Sequence, residues 1–237
     1  MNKLELLYEG KAKKIYRTEQ ENVLWVQYKD DATAFNGEKK DTLEGKARLN
    51  NEISTLIFTQ LKTRGIPSHF IERLSEVEQL VQKVEIVPLE VVVRNIVAGS
   101  LSKRLGVKEG TFLRKPIVEF YYKDDALGDP LITEAHIDFL EAATDAEVQK
   151  LKDMALAVNE HLIEIFSHIQ IRLVDFKLEF GRTQSGELLL ADEISPDTCR
   201  LWDKETNQRF DKDLFRRNLG SLQEGYSEIL TRLTQFS

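Results

Sequence analysis

Short apolar and aromatic runs separated by polar turns fill the first third of the chain and predict β-strands. They occupy residues 4–8, 14–17 and 23–28, and the polar segment 29–37 that follows predicts a loop. Further strands are predicted at residues 69–72, 79–83, 89–97, 116–122, 171–181 and 187–194. The beginning of the chain is therefore expected to be rich in β-structure.

Apolar residues at helical spacing predict two long helices. The first covers residues 49–61 and is ended by Gly65 and Pro67. The second begins at a capping-box sequence, Thr144 to Glu147, and its apolar residues continue in steps of three and four. Such steps also occur in coiled coils, but just over three heptads between strands favour a helix that faces the core. A short helix is predicted at residues 99–105 and a C-terminal helix from about Asp211.

Strands grouped early, followed by mixed strands and helices, predict an α+β protein with two lobes. We expect residues 1–84 to form a β-rich lobe and residues 85–237 an α+β lobe. A chain of 237 residues is long enough for this arrangement. The sequence shows no internal repeat and no linker, so the two lobes are expected to act as one unit.

Composition limits the classes of protein to which this chain can belong. Hydrophobic residues make up 41% and charged residues 31% of the chain, as in soluble globular proteins. The net charge of −7 disfavours non-specific binding to nucleic acids. The single cysteine, Cys199, cannot form an internal disulfide, which fits a reducing compartment. With no apolar signal core and no apolar run near the ~18 residues of a membrane span, we expect a cytoplasmic protein.

Charge is unevenly distributed along the chain. Residues 94–123 contain seven basic and two acidic residues, whereas residues 124–160 contain ten acidic and two basic ones. One interpretation is solvated surface of both signs. The other is a locally basic segment that attracts a small anion. Composition alone does not choose between them.

Alternation along residues 172–181 predicts a strand with one polar face, formed by Asp175, Lys177 and Glu179. The other face is largely apolar and consists of Arg172, Val174, Phe176, Leu178 and Phe180. If Ser185 and Gly186 are the two central turn residues, Asp192 pairs directly with Glu179. Two carboxylates ~4.5–5.5 Å apart weaken a sheet but suit Mg²⁺ shared with nucleotide phosphates. A shifted turn would instead place Asp192 elsewhere.

Two other segments have the composition of phosphate-binding sites. The hairpin Gly10-Lys11-Ala12-Lys13 can lie over a polyphosphate, although it is not a Walker A loop and can also be an exposed basic turn. Glu90 and Arg94 share one face of a predicted strand that leads to Ser100 at the start of a helix. Arg94, Ser100 and the helix-start N–H groups can hold a phosphomonoester. The alternative is a capping Ser100 and a surface Arg94.

The cysteine does not have the surroundings of a catalytic thiol. No histidine lies near Cys199 in the sequence, so a small buried residue is expected rather than a nucleophile.

Taken together, these segments resemble the SAICAR synthetase (phosphoribosylaminoimidazole-succinocarboxamide synthase) family. The resemblance is most specific at residues 86–100 (IVPLEVVVRNIVAGS), 173–181 (LVDFKLEFG) and 192–203 (DEISPDTCRLWD). It implies a two-lobed ATP-binding fold with antiparallel sheets and flanking helices, related in layout to protein kinases and ATP-grasp enzymes. It also implies a homodimer or larger homo-oligomer. The implied reaction uses Mg²⁺ and ATP to join L-aspartate to 5-amino-1-(5-phospho-D-ribosyl)imidazole-4-carboxylate (CAIR), forming SAICAR, ADP and phosphate.

The resemblance also implies roles for individual residues. Gly10, Lys11, Ala12 and Lys13 would cover the nucleotide phosphates, Val81 and Ile86 would flank the adenine, and Lys123 would approach the nucleotide. Glu179 and Asp192 would hold Mg²⁺. Glu90, Arg94, Ser100, Asp175, Lys177, Asp197 and Arg200 would line the ribonucleotide site. The segment 31–40, with Phe35, Asn36, Gly37 and Lys39, would help to bind L-aspartate, unless it is only flexible surface.

The chemistry of the implied reaction explains why these residues would be needed. A carboxylate does not acylate an amine at neutral pH, whereas an acyl phosphate made from the γ-phosphoryl group does. Because several anions meet at the site, Lys11, Lys13, Lys177 and Mg²⁺ are expected to neutralise charge in catalysis. Asp175 is expected to orient either Lys177 or the incoming amine. The competing hypotheses are a kinase-like phosphotransferase, which would not need L-aspartate, and an RNA-binding module built on residues 94–123.

Overall fold

The computed structural model describes residues 1–34 and 39–235. The first half contains β1 (Lys3–Glu9), β2 (Lys13–Thr18), β3 (Val23–Tyr28), β4 (Asp31–Ala34), β5 (Lys39–Thr42), α1 (Lys46–Thr63), β6 (Phe70–Arg73), β7 (Glu78–Gln82), β8 (Glu85–Ile96), α2 (Gly99–Leu105) and β9 (Phe112–Tyr122). The second half contains β10 (Leu131–Ile132), α3 (Glu134–Phe139), α4 (Asp145–His168), β11 (Ile171–Arg182), β12 (Leu188–Ala191), β13 (Cys199–Asp203), α5 (Asp213–Arg216) and α6 (Leu222–Gln235).

Two antiparallel sheets form the framework. The first has the strand order β1-β2-β3-β7-β6. The second has the order β10-β9-β8-β11-β12, and β13 also pairs with β11. β11 is therefore the central strand, with β8 on one side and both β12 and β13 on the other. This topology confirms the predicted α+β class with antiparallel sheets and flanking helices.

The main core is formed by the apolar face of the second sheet and three helices. Leu49, Ile53 and Ile57 of α1 are buried in it, together with apolar residues of α4 and α6. The capping box of α4 is formed as predicted, with Thr144 as the N-cap and Glu147 closing it. No helix of the described residues is long and apolar enough to span a membrane.

Several elements differ from the prediction. The segment predicted as a loop from residue 29 contains β4, which pairs with β5. The helix predicted from about Asp211 is split into α5 and α6, because Asn218 and Gly220 adopt positive φ angles of 54° and 153°. β13 was not predicted, since the charged residues Arg200 and Asp203 leave only a short apolar run in it.

The β11–β12 hairpin is one residue out of the predicted register, so the predicted pairing of Asp192 with Glu179 is wrong. Glu179 pairs with Ala191 instead. The reason is a longer turn: Thr183 N–H donates to Glu187 O, and Gly186 has a φ of 81°. Three residues rather than two therefore lie between the hydrogen-bonded residues Thr183 and Glu187, as in a turn that contains a glycine bulge. Asp192 lies beyond the end of β12 with a φ of 57°.

The apolar face of β11 is interrupted by an irregularity between Leu173 and Asp175, where the register with β13 shifts. Leu173 consequently joins the main core with Phe176, whereas Val174 packs in a separate cluster with Trp202. The prediction that Val174 and Phe176 share one packing face is therefore wrong. The predicted polar face of Asp175, Lys177 and Glu179 is confirmed, because all three line one cavity.

Candidate active site

A cavity of about 840 Å³ lies between the two sheets. Its walls come from β2, β3 and β7 of the first sheet and from β8 and β11 of the second. The loop of residues 192–200 and the N-terminal hairpin of residues 10–13 complete it. The cavity therefore collects residues from both ends of the chain.

One part of the cavity is apolar. Val81, predicted to flank an adenine, is buried there, and the more exposed Ile86 lies in the same wall. Three residues that were not predicted, Ile15, Leu24 and Val26, also line it. The period-two spacing of Leu24 and Val26 in β3 was a usable signal, because it places both on one face of the sheet, and Ile15 of β2 pairs directly with Val26.

The hairpin between β1 and β2 borders the cavity with all four predicted residues. It is closed by a hydrogen bond from Gly10 N–H to Lys13 O. Lys11 Nζ forms an ion pair with Asp125 Oδ1 at 2.7 Å, and Lys13 Nζ donates to Asp192 Oδ1 at 2.6 Å. Because Asp125 and Asp192 lie in the later part of the chain, this hairpin is joined to the second sheet's side of the cavity by two lysines.

The ammonium group of Lys13 lies between two carboxylates. Glu193, which was not predicted, also lies 2.9 Å from Lys13 Nζ. Burial alone would lower the pKa of Lys13, but Asp192 and Glu193 outweigh it and raise this pKa well above its usual value. Burial would likewise raise the pKa of Asp192, but Lys13 and Lys177 hold it at about 2. Both groups are therefore charged at neutral pH.

Across the sheet from Glu179 lies Glu90 of β8, which is the carboxylate that pairs with it directly. Lys177 joins the two: its Nζ donates to Glu90 Oε1 at 2.6 Å and to Glu179 Oε1 at 3.1 Å. Lys123 Nζ also donates to Glu179 Oε1 at 3.1 Å. These carboxylates raise the pKa of Lys177 despite its burial, so this lysine remains cationic.

The two predicted metal ligands line the same cavity, although they are not paired in the sheet. Lysines bind Oε1 of Glu179 and Oδ1 of Asp192, and the other oxygen of each accepts no hydrogen bond from the described residues. These free carboxylate oxygens are suitable ligands for Mg²⁺. Within residues 1–34 and 39–235, no group of three or more His, Cys, Asp or Glu side chains is placed to hold a metal.

Arg94 is buried and has four hydrogen-bond partners. Nε donates to Glu119 at 2.6 Å, Nη1 to Asp175 at 2.8 Å, and Nη2 to Ser100 and Tyr121 at 3.0 and 2.9 Å. The alternative interpretation, in which Arg94 is only a surface residue, is thus excluded. Ser100 does not cap α2 either, because the N-cap position is Ala98 and no side chain caps it.

A second arginine meets the same carboxylate. Arg200 Nη1 donates to Asp175 Oδ2 at 2.9 Å, and its Nε donates to Asp213 at 3.1 Å. Gly99 lies against this guanidinium, since a Cβ placed on it would be 2.5 Å from Nη2. Among the described residues, Asp175 accepts side-chain hydrogen bonds from Arg94 and Arg200, and none from Lys177.

The remaining predicted ribonucleotide residue, Asp197, lies in a buried ion pair. Its Oδ2 is 2.6 Å from Lys46 Nζ, and its Oδ1 accepts a hydrogen bond of 2.5 Å from the Tyr226 hydroxyl. Lys212 Nζ is 3.7 Å from Oδ2. Sequence reasoning missed Lys46 and Lys212, because nothing local indicates that they approach Asp197 from distant parts of the chain.

Cys199 is buried, as predicted, and burial raises the pKa of its thiol above the usual range. Of the residues expected to bind L-aspartate, Phe35, Asn36 and Gly37 lie outside the described residues. Lys39 does not line the main cavity; its Nζ donates to the carbonyl of Phe215 and to Asn218 Oδ1. The start of β5 is therefore attached to α5 and the turn that follows it.

Comparison with known proteins agrees with this geometry. The profile of the family described as SAICAR synthetase matches residues 6–233. Phosphoribosylaminoimidazole-succinocarboxamide synthase of Shouchella clausii is 72% identical over 233 residues, which is 98% of each chain.

Two solved structures are also similar. The crystal structure of the synthase of the same name from Ehrlichia chaffeensis has a TM-score of 0.95 at 48% identity, covering 97% of this chain and 98% of that one. A SAICAR synthetase in complex with ADP has a TM-score of 0.94 at 48% identity and 98% coverage of both. The chain belongs to the SAICAR synthetase family, the ATP-dependent ligases of purine biosynthesis that join L-aspartate to CAIR.

Proposed function

We propose that the family's ligase reaction takes place in the cavity between the two sheets, through an acyl phosphate of CAIR. One observation carries this proposal: a single cavity combines an apolar pocket under the first sheet with a dense set of cations and carboxylates on the second. Such a cavity suits an adenine base at one end and reacting anions at the other. L-Aspartate would then attack the activated carboxylate and release phosphate.

The nucleotide would occupy the side nearest the first sheet. Val81 and Ile86 line the apolar part, and Gly10, Lys11, Ala12, Lys13 and Lys123 lie around the polar part that would hold the phosphates. A solved relative of 48% identity is described as a complex with ADP, which supports nucleotide binding here. Glu179 and Asp192 would hold Mg²⁺, which when bound would neutralise phosphate charge.

The ribonucleotide would occupy the side nearest Arg94 and Arg200. Both arginines are held by Asp175, so their guanidinium groups are oriented before a substrate binds. Such pre-oriented cations suit the phosphate or carboxylate of CAIR, and Glu90, Ser100 and Asp197 would complete the site. Asp175 would then act as a positioning residue for the two arginines.

Electrostatics explains the number of cations. Two like unit charges ~4 Å apart repel by roughly 4 kcal/mol at an effective dielectric constant of 20. ATP, CAIR and L-aspartate bring several such charges together. Lys13 and Lys177 would offset this repulsion where the γ-phosphoryl group meets the CAIR carboxylate, since both are held in the cavity by carboxylates.

The same proposal includes three properties implied by the family resemblance. L-Aspartate would be bound with help from residues 31–40, of which Lys39 is attached beside α5. The enzyme would be a homodimer, which light scattering after gel filtration tests. It would be cytoplasmic, and fractionation of the source cells tests this.

A product assay tests the proposed reaction. Purified protein with ATP, Mg²⁺, CAIR and L-aspartate is expected to form one ADP for each SAICAR, and omission of L-aspartate should stop sustained ADP formation. Folded protein that forms no SAICAR would contradict the proposal. Rapid ADP release with a hydroxyl acceptor and without L-aspartate would instead favour a kinase-like phosphotransferase.

A further inference from the structure

One cation of the cavity differs from the others in its partners. The Lys and Arg side chains that line the cavity in the described chain are Lys11, Lys13, Arg94, Lys123, Lys177, Arg200, Lys212 and Arg216. Seven of them lie within 3.1 Å of a carboxylate oxygen. Among the residues that the structure describes, the nearest carboxylate oxygen to Lys212 Nζ belongs to Asp197, at 3.7 Å. Lys212 is therefore the cation whose charge is least compensated.

The carboxylate beside Lys212 is already used by other groups. Lys46 lies 2.6 Å from Asp197 Oδ2, and Tyr226 donates to Oδ1. Burial lowers the pKa of Lys212; Asp197 and Glu193 oppose this effect, whereas Lys46 and Arg216 add to it. The result is a lowered pKa, so the neutral amine of Lys212 is more accessible than that of an ordinary lysine.

The position of Lys212 places it near where the three substrates would meet. Its backbone N–H donates to Pro196 O, which fixes it to the loop of residues 192–200. That loop begins at Asp192, beside the phosphate-covering hairpin, and ends at Arg200, beside the ribonucleotide site. Lys39, next to the segment expected to bind L-aspartate, is hydrogen-bonded to Phe215 and Asn218, a few residues after Lys212.

The reaction needs a proton acceptor at this place. At neutral pH the α-amino group of L-aspartate is an ammonium ion, which has no lone pair with which to attack. We propose that Lys212, which lines the cavity without a close ion-pair partner among the described residues, is a catalytic residue whose Nζ accepts this proton, a role that rests on the function proposed above.

Each bond that forms in this reaction is matched by a bond that breaks. An N–H bond of the aspartate ammonium breaks, and its electron pair stays on nitrogen while the proton goes to Lys212. The amine nitrogen then forms the C–N bond to the acyl carbon, and the C–O bond to the phosphate breaks. The departing phosphate takes the second amine proton, and Lys212 later releases its own proton to water.

Two substitutions distinguish a role of Lys212 in proton transfer from a role of its positive charge. Lys212→Arg keeps a cation but cannot accept a proton at neutral pH, and Lys212→Met removes both properties. Both variants are expected to lower kcat with L-aspartate by about 100-fold or more, the usual scale of general-base catalysis. The rise of wild-type kcat with pH that reports this base should be absent in Lys212→Arg. Lys150→Arg and Lys150→Met, at an exposed position of α4, are the matched controls and should keep wild-type rates.

Hydroxylamine supplies the decisive comparison, because it is a neutral nucleophile at pH 7 and needs no base. With ATP, Mg²⁺ and CAIR, both Lys212 variants should form the hydroxamate within about twofold of the wild-type rate. Retention of aspartate-dependent activity in Lys212→Arg would overturn the proposal and make Lys212 only an anion-binding residue. Loss of hydroxamate formation in both variants would also overturn it, since Lys212 would then act before the amine attacks.

A failure of the proposed pathway itself would look different. If the wild-type enzyme forms SAICAR but no hydroxamate, the acyl phosphate is contradicted and not the role of Lys212. The role of Lys212 is then tested by kinetics with L-aspartate as the only nucleophile. Equal loss of kcat in Lys212→Arg and Lys212→Met, with unchanged KM for ATP and CAIR, supports this role. Activity restored by arginine overturns it.

Discussion

The carboxylate of Asp175 lies between two arginines, with Arg94 Nη1 at 2.8 Å and Arg200 Nη1 at 2.9 Å. Arg94 is directly opposite it in the sheet, whereas Arg200 approaches from β13 on the other side. All three side chains are largely buried, so water cannot replace a lost partner. At the scale of single residues, the Asp175 carboxylate determines the orientation of the two guanidinium groups.

The variant Asp175→Asn is therefore expected to affect the ribonucleotide much more than ATP. Loss of the charged acceptor leaves two cations repelling each other, and kcat/KM for CAIR should fall by about 100-fold, while the KM for ATP stays within a few-fold. Steady-state kinetics with each substrate varied checks this. Asp138→Asn, at an exposed position of α3, is the control. An equal loss for both substrates would contradict the assigned positioning role.

Asp213 provides a pH dependence at the same scale. Burial would raise the pKa of Asp213, but Arg200 and Arg216 outweigh this and hold it at about 2. Because the folded-state pKa is below the unfolded value, the stabilisation is complete above about pH 4 and is lost as the pH falls through 2. Compared with wild type, Asp213→Asn should be about 2 kcal/mol less stable at pH 7, with a difference that disappears near pH 2. Urea unfolding across this range measures it, and a difference independent of pH would disprove it.

At the scale of elements, helix α2 is bounded by two glycines with positive φ, Gly99 at 53° and Gly106 at 64°. Their surroundings differ. A Cβ on Gly99 would lie 2.5 Å from Arg200 Nη2, whereas nothing lies within 4 Å of a Cβ on Gly106. The start of α2 therefore packs directly on a cation of the cavity, and the end of the helix does not.

This contrast allows a matched pair of substitutions. Both Gly99→Ala and Gly106→Ala should lose roughly 1 kcal/mol of stability, because alanine is strained at positive φ. Only Gly99→Ala should also displace Arg200 and raise the KM for CAIR, by about tenfold or more. Thermal unfolding and CAIR kinetics on both variants check this, and equal KM values would show that Arg200 adapts without cost.

The connection between the sheets is another element that needs a glycine. A Cβ on Gly181 of β11 would lie 2.3 Å from Cγ2 of Val84, in the segment that joins β7 to β8. The absence of a side chain at Gly181 thus lets this segment pass close to the central strand. It brings Val81 and Ile86, at the two ends of the crossing, to the same cavity wall.

At the scale of the whole molecule, the two sheets are connected across the cavity mouth by Lys11 and Asp125. Their side chains are 47% and 71% exposed, so solvent screens the pair and its contribution to stability is less than about 1 kcal/mol. Under the proposed function, Lys11 exchanges this partner for a nucleotide phosphate when ATP binds. The pair would then matter for binding and not for folding.

Two substitutions test this exchange. Lys11→Met should raise the KM for ATP about tenfold, because it removes a phosphate contact, and Asp125→Asn should leave the KM equal or lower, because it frees Lys11. Both variants should unfold within about 1 kcal/mol of wild type. ATP kinetics and urea unfolding measure these outcomes, and an equal rise of KM in both variants would contradict the exchange.

Sequence patterns predicted the elements well where the signal is local. Strand β3, helix α2 and the start of α4 lie where alternation, spacing and the capping box predicted them. The β11–β12 register was wrong by one residue, because Gly186 adopts positive φ and adds a bulge that composition does not reveal. Pairing registers depend on such turn geometry, and an error of one residue changes which carboxylates face each other.

By itself, the sequence determined which residue types occur at which local positions: the alternating polar face of β11, the Gly-Lys hairpin, the capped helix and the family motifs. These follow from interactions within a few residues. Only the tertiary structure decided which charges meet, placing Arg94 and Arg200 on Asp175 and Lys46 on Asp197. Within the described part of the chain it leaves Lys212 no carboxylate oxygen closer than 3.7 Å. The physical reason is that ion pairing and burial depend on distances between segments far apart in the chain, which the fold of the two sheets sets.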